Sequence, residues 1–194
     1  MLKFNRLARM APSALALALA MLAPAAQADQ KLMPAQSDIS FVFKQMGVPV
    51  EGHFKHFDAQ IAFDPAKPET SKVAFSVDIA SISLGAPEAD AELPKATWFN
   101  TAKFPQATFQ SSSIKALGGG KFEVTGKLGI KGNQRDVIVP LALTQAGPTT
   151  TASGVFPIKR LTFKIGENEW ADTSMVADDV QVKFKIALTG VNKL

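Results

Sequence analysis

Few side chains in this sequence have both the type and the spacing for chemistry. His53 and His56 are its only histidines, and two neighbouring imidazoles raise the question of a metal. Three residues apart on an extended chain they fall on opposite faces, no cysteine joins them, and Lys55 between them repels a cation. Glu88, Asp90 and Glu92, and the pair Asp178-Asp179, lack the glycine-centred spacing of a calcium loop and read as solvated loop charges. Ser111-Ser112-Ser113 offers hydroxyls with no histidine nearby in sequence to act as base, which is a polar strand face rather than a nucleophile. Gln45 and Arg160 are left for polar recognition; Arg160 has the planar fork that grips a phosphate or a carboxylate through two hydrogen bonds. No catalytic residue, metal or cofactor is expected.

The elements that must position these residues alternate with period two. From Lys121 to Leu143 the chain reads as a β-hairpin: Phe122, Val124, Leu128 and Ile130 share one face, Glu123, Thr125, Lys127 and Lys131 the other, Gly132-Asn133 supply the turn, and Val137, Val139, Leu141 and Leu143 return. Gly126 within it implies a bend or a bulge. Ile39, Phe41 and Phe43 begin an earlier strand, Val48 to Phe63 is a long extended stretch, and Val73, Phe75, Val77 and Ile79 form a third. Strand reading resumes at Thr108, continues in two apolar runs around Lys159-Arg160, and ends in Val180 to Leu188. One segment breaks the pattern. Between Ala86 and Pro105, Pro87 opens a short helix, Pro94 ends it, and Leu93, Trp98, Phe99 and Phe104 supply more apolar surface than a solvated loop needs. The sum is an antiparallel all-β domain of about eight strands with a short helical insert, a closed barrel in preference to a sandwich.

Composition bounds what such a domain does. Residues 1–28 carry Lys3, Arg6 and Arg9, an apolar run from Ala11 to Ala23 and the small-x-small motif Ala26-Gln27-Ala28, the pattern of a cleaved export signal. Residues 29–194 are then the mature domain, expected in the periplasm and not integral to the membrane. Of the formal charge of +4, three units lie in that leader, leaving +1, so nucleic acid is not an expected partner. There is no cysteine to form a disulfide. Fourteen Phe and two Trp stand beside no Tyr, so almost every large ring lacks a polar group needing a buried partner. An apolar inward face of this kind is either a packed core or a lumen for a lipid chain, and strand count alone leaves both open.

Several motifs together resemble the YceI-like family of periplasmic, lipocalin-like barrels. They are Phe43-x-x-Met46-Gly47-x-x-x-x-Gly52-x-Phe54-x-x-Phe57, Ser81-x-Ser83, Phe99 with Phe104-Pro105-x-Ala107-x-Phe109, Val124-Thr125-Gly126-x-Leu128-x-Ile130-x-Gly132, and Arg160-x-x-Phe163 with Asp179-Val180. The resemblance implies a non-catalytic carrier that holds a polyisoprenoid or an isoprenoid quinone in its lumen. It implies a lining drawn from Phe41, Phe43, Phe54, Phe75, Val77, Leu93, Trp98, Phe99, Phe104, Phe109, Phe122, Val124, Leu128, Phe163 and Phe184, with Gln45 and Arg160 as headgroup candidates. The insert is then a lid hinged near Gly85 and Pro94, or else a segment that seals the core. A lipocalin-fold enzyme is the rival reading. A membrane redox partner stays open, and an exposed apolar patch at Trp98-Phe99 would favour it; a homodimer also stays open.

Overall fold

Alternation becomes strand throughout residues 29–194, the part of the chain that the computed structural model describes; the expected leader and its cleavage site lie outside them. The strands are β1 (Lys31–Leu32), β2 (Asp38–Gln45), β3 (Val48–Phe54), β4 (Phe57–Ala62), β5 (Lys72–Asp78), β6 (Ile82–Ser83), β7 (Gln106–Gly118), β8 (Lys121–Ile130), β9 (Asn133–Ala146), β10 (Thr149–Lys159) and β11 (Asp179–Thr189). One helix, α1 (Pro87–Glu92), starts at Pro87 as the sequence implies. Every pairing is antiparallel, and the hydrogen-bonded order is β4-β5-β7-β8-β9-β10-β11-β2-β3-β6.

The two ends of that path meet. Only Lys55-His56 separates β3 from β4, and only the turn Ile79–Ser81 separates β5 from β6, so β3/β4 and β5/β6 are two kinked strands paired along their length. Across the kink the Lys55 amide donates to Ser81 O at 3.2 Å, the His56 amide to Ser81 Oγ at 3.0 Å and the Asp78 amide to His56 O at 3.0 Å. Likewise β1 prolongs β2 along β11. The eleven segments are thus eight barrel strands in one ring, paired all round except where β9 and β10 part beyond Leu141 and Gly154. Gln30 completes the seam: its amide accepts from Phe63 N at 2.9 Å and donates to Phe63 O at 2.6 Å, as a neighbouring strand would.

The kink corrects one expectation. Val48 to Phe63 is not one strand, and both histidines emerge on the outer surface, His53 against Asp38 at 3.2 Å and His56 against Asp78 at 3.9 Å. The hairpin of β8 and β9 keeps its inward set, with Phe122 opposite Leu141, Val124 opposite Val139 and Gly126 opposite Val137. Its turn, however, is Lys131-Gly132, one residue earlier than expected, with φ of 48° and 76° as a type I′ turn requires. A lysine accepts that conformation because its ammonium is buried and held, donating to Lys164 O at 2.6 Å and to Glu167 Oε2 at 2.8 Å. Lys131 therefore does not share the solvated face of Lys127. At Gly126 a Cβ would collide with the Phe109 ring and with Gln110 O, and the register of β7 against β8 slips between Ser111 and Ser113. The missing side chain makes room for that ring and marks the bulge.

Leu128 faces inward and is buried, whereas Lys127 faces outward in an exposed pair with Asp136 at 3.0 Å. Leu128→Asp places an unpaired carboxylate among apolar groups and is expected to abolish soluble expression. Lys127→Ala loses only a surface ion pair, about 0.5 kcal/mol, and urea titration of that variant should show a midpoint near the parent's. Equal costs for the two would refute the assigned faces.

Candidate functional site

Inward-facing side chains do not meet at the barrel axis. Phe43, Phe54, Phe75, Phe109 and Phe184 point into the ring yet are only half-buried, which is how side chains look when they line a space rather than fill it. Two cavities result, of about 220 Å³ and about 180 Å³. Each exceeds the roughly 150 Å³ apolar hole that suffices for a benzene ring. Ile39, Val77, Leu128, Phe156 and Val182 belong to both walls, so the two are consecutive chambers of one lumen.

The chambers differ in chemistry. The smaller is walled by apolar side chains alone, among them Phe63, Phe75, Phe109, Phe122, Val124, Leu143 and Phe184. The larger lies under the insert, from which Ala89, Glu92, Leu93, Trp98 and Phe99 contribute, and Gln45, Glu92 and Arg160 are its only hydrogen-bonding or charged side chains besides the indoles of Trp98 and Trp170. Gln45 is exposed at the rim, where its backbone bridges to Val176. Of the seventeen residues expected to line the lumen or meet the headgroup, Phe41, Phe43, Phe54, Val77, Leu93, Trp98, Phe99, Leu128, Gln45 and Arg160 wall the larger chamber, and Phe75, Phe109, Phe122, Val124 and Phe184 wall the smaller. Phe104 and Phe163 do not line either. Phe104 lies against Gly132, under the Lys103 ammonium at 5.4 Å; Phe163, 1 % exposed, is packed beneath the turn Arg160–Phe163.

Arg160 departs furthest from expectation. It is 2 % exposed and has neither a phosphate-ready fork nor a carboxylate partner. Its five N–H groups are all taken by main-chain carbonyls: Nε by Ala177 at 3.1 Å, Nη1 by Ile165 at 2.8 Å and Gly166 at 3.1 Å, and Nη2 by Trp170 and Val176, both at 2.7 Å. Burial pulls its pKa below the ordinary arginine value, and the charge of Asp178 offsets part of this. The guanidinium organises the loop from Ile165 to Ala177 and shows the lumen a wall already saturated. Gly166 permits the approach, since a Cβ there would overlap Arg160 Nη1.

That loop and the insert hold one another. The amides of Gly166 and Glu167 both donate to Thr97 O, at 2.9 and 2.8 Å, and the rings of Trp98 and Trp170 meet at 5.3 Å. The Lys131 hydrogen bond keeps the Glu167 carboxyl below its ordinary pKa. Near the expected hinge, the Asp90 carboxylate accepts from Leu84 N at 2.6 Å and Ser83 Oγ at 2.8 Å, which lowers its pKa and ties α1 back across Gly85. Leu93 and Phe99 are buried and Trp98 is half-buried, so the exposed apolar patch that would have favoured a membrane redox partner is not at Trp98-Phe99. Exposed apolar side chains stand instead at Met46, Val48 and Met175, and Met46 and Met175 are joined by a backbone hydrogen bond of 2.8 Å beside the Gln45 rim. The serines serve the strands: Ser111 Oγ accepts from Val73 N at 2.9 Å and Ser112 Oγ donates to Thr125 O at 3.1 Å. Among the described residues no helix is long and apolar enough to cross a membrane.

Sequence reasoning overlooked Ile39, Phe156 and Val182, which wall both chambers. Phe156 was hidden because its outward neighbours Val155 and Pro157 are also apolar, so Gly154 to Ile158 shows no alternation. Ile39 and Val182 do alternate, and their period was the available signal.

A sequence profile described as "YceI-like domain" matches residues 30–188. A "UPF0312 protein" of Azotobacter vinelandii is 36% identical over 102 residues, 52% of this chain, and the match spans about half of that relative's length, 53%. Among solved structures, BcnA of Burkholderia cenocepacia is 47% identical with a TM-score of 0.79, covering 81% of this chain and 99% of BcnA. A polyisoprenoid-binding domain from Saccharophagus degradans, 15% identical, has the same fold with a TM-score of 0.67, covering 83% of this chain and 98% of its own.

Two variants test this wiring. Arg160→Met leaves three buried and two half-buried carbonyls without this donor, and chemical denaturation should show a loss of at least about 3 kcal/mol, at about 1–3 kcal/mol for each buried acceptor left unsatisfied; Arg160→Lys, with three donors, should recover only part of it. Asp90→Ala should speed tryptic cleavage at Lys95 and Lys103 in the insert, while Glu88→Ala, at an exposed position of the same helix, should leave the cleavage rate unchanged.

Proposed function

Because the chain belongs to the YceI-like family and its barrel encloses two adjoining, mainly apolar chambers, we propose that it binds and carries a long-chain amphiphilic lipid. A polyisoprenoid or an isoprenoid quinone is the first choice. The observation that carries this reading is the pair of joined chambers, of which the inner has no polar lining residue at all. Water gains few hydrogen bonds in such a space, whereas each buried CH₂ contributes about 0.8 kcal/mol. Strands of 10 to 14 residues, β8 and β9, at about 3.4 Å per residue and tilted as in small barrels, make a lumen tall enough for an extended chain. That the Saccharophagus domain is described as polyisoprenoid-binding lends support through shared fold.

The carrier works in the periplasm, reached through the leader expected in residues 1–28, and does no covalent chemistry: the one carboxylate in the lining, Glu92, is paired with Lys95, and neither Gln45, which does not titrate, nor Arg160, whose N–H groups are all taken, gives it an acid–base partner. The insert and the Arg160 loop form the roof, and Gln45 with Met46 marks the rim through which the chain passes.

Mass spectrometry of organic extracts from protein released by osmotic shock is expected to find a long apolar chain in stoichiometric amount. Val182→Trp, which fills the waist between the chambers, is expected to reduce retention of that chain at least tenfold without lowering the unfolding midpoint of the lipid-free protein by more than the modest cost of overpacking, about 1–3 kcal/mol. Retention unaffected by Val182→Trp would show that the lipid sits elsewhere.

A further inference from the structure

The two most exposed large apolar side chains among the described residues, Met46 at 71 % and Val48 at 63 %, stand together at the tip of the β2–β3 hairpin. A third, Met175 at 44 %, is tied to them by the hydrogen bond from Met46 N to Met175 O at 2.8 Å. The register explains their position. Gln45 lies opposite Val48, so Met46 and Gly47 form a two-residue turn, with φ of 49° and 81° as type I′ requires. The pairing of β2 with β11 stops at Val42 opposite Gln181; beyond it β2 is flanked by a loop, through Ala177 N to Lys44 O at 2.9 Å and the Gln45–Val176 bridge, so the tip stands past the end of the paired wall. Gln45 and Val176 line the larger chamber, whereas Met46, Val48 and Met175 line neither. The apolar tip therefore borders the chamber's rim without being part of its wall.

Nothing local calls for a methionine there. A left-handed backbone favours Asn, Asp or Gly, and an apolar side chain adopts it at a cost. Lys131, in the same conformation in the β8–β9 turn, offsets that cost through hydrogen bonds to Lys164 and Glu167, but Met46 holds its thioether out in water. A strained residue turned to solvent points to a contact outside the chain. The six residues from Gln45 to Val50 are uncharged, as is the neighbouring stretch from Thr173 to Ala177, so the contact is apolar rather than ionic. Three side chains around a two-residue turn fall short of the roughly 800 Å² per partner of a stable protein interface, whereas a bilayer accepts a small apolar wedge of any shape. We propose that Met46, Val48 and Met175 dock on the surface of a lipid bilayer, entering the boundary between headgroups and acyl chains, and set the rim of the larger chamber against it, so that the cargo passes between membrane and lumen during contact. The passage of cargo rests on the lumen reading above; the docking does not.

The chain has no cysteine, so Met46→Cys and Leu117→Cys can each carry a single bimane label. Leu117 is exposed at the other end of the barrel, next to Ala116, whose partner Phe122 walls the smaller chamber. With phosphatidylcholine vesicles the label at position 46 is expected to shift to the blue and that at position 117 to stay, in low and high salt alike. Uptake of radiolabelled geranylgeraniol from the same vesicles is the second readout. In the parent protein its rate should rise in proportion to vesicle concentration, as transfer in contact requires. Met46→Asn with Val48→Thr should slow it about tenfold, the loss expected when one large apolar side chain is no longer buried, and leave the amount taken up at equilibrium within about twofold. Asn suits the φ of 49°, so Met46→Asn should not lower the unfolding midpoint, and slower transfer would not reflect a damaged fold. Equal shifts at both labels, a rate indifferent to vesicle concentration, or a double variant as fast as the parent would each overturn the docking while the lumen reading stands. A dimer in sedimentation that Met46→Asn dissolves would overturn it too, by assigning the tip to a second copy of the chain. A shift at position 46 with no geranylgeraniol taken up would leave the docking in place and overturn the exchange together with the lumen reading.

Discussion

Closing eight antiparallel strands into a ring fixes the width of what lies inside, and the rest of this molecule follows from that width. A ring of this size is just wide enough to be filled by large side chains or to hold one slender ligand. Here the inward phenylalanines are numerous, yet Gly126, Ala107 and the valines between them leave the axis open. Closure also demands partners for the strand edges, and at the seam the chain meets the demand with two kinked strands and a glutamine amide that imitates a peptide. Between β9 and β10 the ladder ends at Leu141 opposite Gly154. Pro140 and Pro157 stand just beyond it, with no N–H to leave unpaired, and Arg135 spans to Thr162 O at 2.8 Å where the strands part.

The roof is built on a different principle from the wall. Along the wall, backbone pairs with backbone and side chains only choose a face. At the roof, irregular segments carry main-chain carbonyls that no strand can satisfy, and a buried guanidinium gathers five of them. Lys131 does the same on a smaller scale for Lys164 O, with Glu167 balancing its charge. Two cations, Arg160, a headgroup candidate in the sequence, and Lys131, expected on the solvated face, instead hold a loop in shape, which leaves the lumen almost without polar character.

How much of this was legible in the sequence depended on whether a residue's partner was local. The faces of β8 and β9 were readable because alternation is a property of the strand itself, and so was α1, announced by Pro87. The kink at Lys55-His56 was not, since those residues look like any others in an extended run and the bend is imposed by Ser81 and Asp78 across the sheet. The turn moved to Lys131-Gly132 for a similar reason: the left-handed lysine is stabilised by Lys164 and Glu167, more than thirty residues away. Phe104 and Phe163 read as lining residues because apolar character says that a ring is buried, not on which side of the backbone it is buried. Arg160 looked like a site because an arginine fork is the same whether it meets phosphate or peptide.

The ring has an order of assembly written into it. The first long strand, β2, takes as one neighbour the last, β11, pairing Ile39 with Phe184, and the Ala187 amide donates to Ser37 Oγ across 150 positions of chain. Hairpins such as β8–β9 are available early, but no N-terminal portion can bury its lumen face until β11 arrives to lie between β10 and β2. Loop closure over such separations is slow. A nascent or threading chain short of its final strand is therefore an open, curled sheet rather than a barrel.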